Sequence, residues 1–236
     1  MSAAGFAACE EQWAAFERDW IALLSNEGIA QFHMKEFAHS VGEFALWKED
    51  ETRRQSTIKR MKEIIFKHQL TSVGRVIFVE EYKTVNREFC LRETLGGPYA
   101  PTMFFALLKC RQWISDNHPT EPISFLIEKG DRDQDELTEV LTRFHFDMPV
   151  KFVPKIWVEN DVVRYCYPFQ ACDFIAWEAR KATDTMLKSD TDEIQGRKSF
   201  LGILPKQENG RDSSWMYHDA YGLRRMCLKS GVSARR

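Results

Sequence analysis

Asp173 is the residue whose type and setting most invite chemistry, because it sits among Phe169, Ala171, Phe174, Ile175, Ala176 and Trp177 in an apolar pattern at helical spacing. A carboxylate buried without a partner costs several kcal/mol, so such an acid is expected to meet a cation, meet hydrogen-bond donors or take up a proton. An ion pair with Arg180 or Lys181, or a position nearer the surface, would answer the same need. A second place of this kind is Ile123–Asp131, where an apolar run ends in Glu128, a turn and Asp131. Glu128 and Asp131 are therefore candidate metal ligands with Asp173, against a solvated strand end in which Asp131 caps the next helix. Two such acid sites point to a metal-dependent enzyme.

The densest ionisable cluster is His33, Lys35, Glu36 and His39. His33 and Glu36 are candidates for a ligand or a proton shuttle, with a histidine satisfied by a backbone carbonyl as the structural alternative. Their spacing is not that of a zincin, which needs two histidines four apart around a glutamate. Arg53, Arg54, Lys59, Arg60 and Lys62 form a basic helical face that either contacts phosphates or is simply solvated, and Trp47 and Trp177 are candidates for stacking on bases. Neither a phosphate-binding glycine loop nor a Gly-x-Ser-x-Gly elbow occurs, which argues against nucleotide binding by those routes and against Ser/His/Asp catalysis.

These groups need a scaffold, and 236 residues with 44% hydrophobic and 13% aromatic content can bury a sizeable core. A net charge of −2 gives no global basic field, so a nucleic-acid partner would need a local patch. The six cysteines include no Cys-x-x-Cys pair and read as reduced core thiols. With no basic-then-apolar leader pattern and no long uncharged apolar run, a cytoplasmic protein with no membrane partner is expected.

Periodicity places an amphipathic helix over residues 10–25, a turn or short helix at 32–39 and a helix over 52–70. A strand is expected over 74–85, then a helix at 101–116, a strand at 123–127, a helix at 133–144, a strand at 150–158 disturbed by Pro154, and a helix at 169–183. The alternation implies an α/β sheet covered by helices. Residues 184–214 are polar and broken by Gly and Pro, and an amphipathic piece runs from Tyr217 to Leu228.

This order of elements, with FHMKEFAH at 32–39, FLIEKGD at 125–131 and QACDFIAWEARK at 170–181, resembles the domain-of-unknown-function family 3800 of bacteria and mobile elements. The resemblance covers roughly residues 5–183. It implies a ribonuclease-H-like α/β domain over 1–183, a C-terminal polar extension with a short helix over 184–236, and a hydrolase that cleaves phosphodiesters, RNA or DNA, with Mg²⁺ or Mn²⁺. Glu128 then matches the acid ending the fourth strand, with Asp131 as its neighbour, and Asp173 matches the acid of the last core helix. The family opens with a strand bearing Asp-Glu-Ser-Gly, which this sequence lacks. The N-terminal strand and its acid are accordingly expected to be missing or truncated. Either the chain starts upstream, or it is an inactive relative that binds nucleic acid or protein on the same scaffold.

Overall fold

The computed structural model describes residues 1–68, 70–130, 133–189, 215–229 and 231–234, and the chain is a mixed α/β protein. Its contacts divide it into two compact units. One gathers Met1–Ala4, Val73–Pro154 and the described residues of Gln207–Arg236; the other gathers Gly5–Ser72 and the described residues of Lys155–Lys206.

The first unit holds Val73–Ile77 of strand β2 (Thr71–Ile77), which lies between β1 (Ser2–Ala7), of which Ser2–Ala4 belong to this unit, and β7 (Trp215–His218). Six of the seven β2 residues are buried, as its central place requires. It runs parallel to β7, Gly74 opposite Trp215 and Ile77 opposite His218. Met1 and Ile77 exchange both backbone hydrogen bonds at 2.9 Å, the pattern of an antiparallel pair. The expectation of a missing N-terminal strand is thus corrected: Ser2–Ala7 is a strand, though it carries no acid.

The strand expected over 74–85 is corrected too. It ends at Ile77, and helix α4 follows at Val79–Glu88. Tyr82 and Val85, three apart, both turn inward, while Glu80 and Glu81 sit in the first turn, where the helix dipole favours acids. A β-branched and aromatic run reads alike in strand and helix until its period is resolved. Helices α5 (Leu91–Leu95) and α6 (Tyr99–Asn117) follow, and then β3 (Phe125–Glu128), α7 (Gln134–Arg143) and β4 (Val150–Val153) form a parallel βαβ unit with Phe125 opposite Val150. Ile77, Leu91, Leu95, Phe104, Leu137 and Leu223 anchor this core.

The second unit holds α1 (Glu10–Glu27), α2 (Met34–His39), a 3₁₀ turn at Gly42–Trp47, α3 (Glu51–Lys67), β5 (Ile156–Glu159), β6 (Val162–Tyr165) and α8 (Tyr167–Ser189). Phe16, Trp20, Leu23 and Leu24 give α1 its buried face, and Gly28 ends it at φ +69°, a conformation that favours glycine. Phe32 lies among Trp20, Phe37, Phe44 and Phe174, fully buried. Pro154 divides the expected 150–158 strand, and β5 instead pairs antiparallel with β6. Asn160 and Asp161, both at positive φ, make the two-residue turn that matches the twist of a hairpin. The amphipathic piece at the C-terminal end is β7 followed by helix α9 (Ala220–Lys229).

No helix among the described residues is long and apolar enough to cross a membrane. None of the six cysteines forms a disulfide, and only Cys166 and Cys227 are buried, so the expectation of core thiols holds for two. Burial pushes the Cys110 and Cys227 thiols up to about 11, too high for either to serve as a thiolate nucleophile at neutral pH.

Candidate functional site

Helix α8 presents Gln170 and Asp173, one turn apart, to the backbone of residues 32–34. The Gln170 side-chain oxygen accepts from the Trp20 indole N–H at 2.9 Å and from the Phe32 backbone N–H at 3.0 Å, all of it buried. Asp173 Oδ2 accepts from the Met34 backbone N–H at 2.7 Å. Met34 is the first residue of α2, whose own N-cap, His33, makes no side-chain capping bond. Asp173 therefore supplies from another helix the acceptor that the start of α2 lacks.

This corrects the reading of Asp173 as a buried acid. Its side chain is 26% exposed, and the acid that α8 does bury is Glu178, at 2%. The sequence pattern misleads because residue 173 lies at the edge of the apolar stripe, where one half-turn separates core from solvent.

His33 stands between two carboxylates. Its Nε2 is 3.6 Å from Asp173 Oδ2 and its Nδ1 is 3.7 Å from Glu36 Oε1, with all three side chains about one-quarter to one-third exposed. Both separations exceed hydrogen-bonding length. Glu36 has room because residue 42 is glycine: a Cβ there would lie 2.6 Å from Glu36 Oε2, and φ at Gly42 is +60°. The structure thus brings together three of the expected residues, His33, Glu36 and Asp173. Gln170, which accepts from the Phe32 backbone next to His33, and Gly42, which leaves room for Glu36, were missed by sequence reasoning; the only signal for Gln170 was a polar residue one turn before Asp173.

Glu128 ends β3 in the other unit and faces solvent with Leu126, while Phe125 and Ile127 face inward. Asp131 lies outside the described residues. The basic face of α3 is largely committed within its own unit. Arg53 and Arg60 pair with Glu27 at 3.0 and 2.7 Å, and Arg54 donates to the Phe37 carbonyl and the Ser40 hydroxyl at 2.8 Å. Trp47 is buried beneath the Arg53 guanidinium and cannot stack on a base, whereas Trp177 is only half-buried. Lys67 and His68 both reach Asp19 across α1 and α3, and Lys67 chiefly holds that carboxyl below its usual range.

The cluster does not fit a shared Mg²⁺ or Mn²⁺ ion. The two nitrogens of one imidazole point away from each other, so Nε2 facing Asp173 and Nδ1 facing Glu36 cannot converge on one centre. One oxygen of Asp173 is already engaged by Met34. Among the described residues no group of three or more His, Cys, Asp or Glu side chains is arranged to hold a metal ion. What the cluster can do is move a proton: a carboxylate anchored by a backbone N–H faces one edge of an imidazole, and the other edge faces a second, more exposed acid. Compared with family models, curated proteins and solved structures, the chain matches none.

Proposed function

We propose that the chain is a hydrolase cleaving phosphodiester bonds of nucleic acid, the activity implied by its resemblance to the domain-of-unknown-function family 3800, but with His33 as the acid–base group in place of the metal ions which that resemblance implies. One observation carries the reading: Asp173 of α8 meets His33 and Glu36, which lie three apart at the start of α2, in one solvent-accessible cluster. Asp173 is the fixed member, tied to Met34 N–H, and its carboxylate faces the Nε2 edge of His33 at 3.6 Å. The Nδ1 edge takes a proton from water as that water forms its bond to phosphorus, Glu36 beside it stabilises the imidazolium, and as the P–O bond to the leaving oxygen breaks the imidazolium gives that proton to the leaving oxygen and returns to its neutral form. No step is routed through a metal ion, because the cluster does not fit one.

The test is cleavage of labelled single-stranded RNA and DNA by the wild type and by His33→Ala. Loss of cleavage in a folded variant supports the assignment. Cleavage that requires Mg²⁺ or Mn²⁺ and is indifferent to His33→Ala would remove the reacting centre from this cluster.

A second reading, a binding scaffold without activity, is favoured by the short Asp173–Met34 bond, which gives the acid a purely structural task. It expects no cleavage by the wild type under any cation.

A further inference from the structure

The seam between α2 and α8 does not end at His33. One turn beyond Asp173 on α8 stands Trp177, and one turn further is Lys181. The Lys181 ammonium lies 5.3 Å from the centroid of the Trp177 ring, and His39, at the end of α2, meets that ring edge-on at 6.0 Å. His39 and Lys181 are exposed and Trp177 is half-buried. From Asp173 to Lys181 the helix advances about 12 Å, acid at one end, aromatic in the middle and cation at the other.

We infer that Trp177, His39 and Lys181 form a nucleotide subsite for single-stranded nucleic acid, in which a base stacks on the Trp177 ring and Lys181 meets the adjoining phosphate. The inference rests on reading the His33 cluster as the reacting centre, and it adds the surface that holds the strand beside it.

The chemistry of the strip selects this occupant. An indole face takes any planar base, and an ammonium tethered beside that ring can meet a negative charge attached to the base. Lys181 rests on the ring by a cation–π contact on an exposed surface, so a phosphate can draw it aside and open the face. Lys35 lies one turn before His39 on α2 and Arg180 lies next to Lys181; both are exposed and add positive charge along the seam. The net charge of −2 offers no general attraction, so affinity has to arise from a local strip of this kind. By contrast, the arginines of α3 are held by Glu27, Phe37 and Ser40.

The experiment is fluorescence anisotropy of a labelled ten-nucleotide single strand, RNA and DNA in parallel, across a salt series, with cleavage followed separately on the same strands. The wild type is expected to bind at least one strand. Trp177→Ala is expected to weaken binding roughly 5- to 150-fold, and Trp177→Phe to keep most of it. Lys181→Gln, a surface change that leaves the fold intact, is expected to lower the slope of log affinity against log salt by about 0.7. Binding that weakens this way in a wild type that never cleaves keeps the subsite and removes the hydrolase reading. Affinity and salt slope unchanged in Trp177→Ala and Lys181→Gln, or no binding by the wild type, would overturn the subsite itself.

Discussion

The carboxylate of Asp173 accepts the backbone N–H of Met34 at 2.7 Å across 139 residues of sequence, so the acid that looked most like a ligand begins another helix. The same bond fixes Asp173 beside His33, which makes the structural and the chemical roles of this residue inseparable in an alanine variant but separable in an asparagine one.

Asp173→Ala leaves the first N–H of α2 without its acceptor and is expected to lower stability by about 1–2 kcal/mol. Asp173→Asn keeps an oxygen that can accept from Met34 and should recover most of that loss, while any cleavage still falls because the charge beside His33 is gone. Urea melts of both variants, read alongside the cleavage assay, check the split.

Gln170→Leu removes one acceptor and strands two buried donors, the Trp20 indole N–H and the Phe32 backbone N–H. Each unsatisfied donor costs about 1–3 kcal/mol, so this change is expected to exceed Asp173→Ala in a urea melt, at roughly 2–6 kcal/mol. A melt indistinguishable from the wild type would mean that these donors find other acceptors.

Gly42→Ala forces a Cβ to within 2.6 Å of Glu36 Oε2 and strains a backbone at φ +60°. About 1 kcal/mol or more of stability should be lost, and the Glu36 carboxylate should be displaced from His33. The Nδ1 and Nε2 chemical shifts of His33 in the two proteins report the displacement.

His218 is buried on β7, its Nε2 lacks a hydrogen-bond partner, and its pKa falls to about 4, chiefly through burial and secondarily through the Arg75 guanidinium; Asp219 opposes the shift. Because the folded value lies below the unfolded one, the unfolded chain binds the extra proton between pH 6.5 and about 4. Stability is therefore full above pH 6.5 and declines as pH falls towards 4, by up to about 3 kcal/mol from this group. Thermal melts from pH 7 to pH 4 should show the decline, and His218→Leu should flatten that part of it.

The chain alone determined most of its helices. Trp13, Phe16, Trp20, Leu23 and Leu24 mark α1 by their spacing, and Leu137, Val140 and Leu141 mark α7 in the same way. A helix closes its hydrogen bonds four residues away, so its evidence is contained in a short window. Sequence also named His33, Glu36 and Asp173 as candidates, the first two from a local density of ionisable groups and the third from its place in a helical pattern, both of which a short window shows. The tertiary structure decided the rest. Whether Ser2–Ala7 is a strand depends on β2, some seventy residues later, and the split at Pro154 mattered only once β6 was there to pair with β5. Glu27 turned a basic face into ion pairs within the unit, and Met34 turned a suspected buried ligand into a cap. A side chain's type fixes what it can bond, and long-range packing chooses which of those bonds it makes.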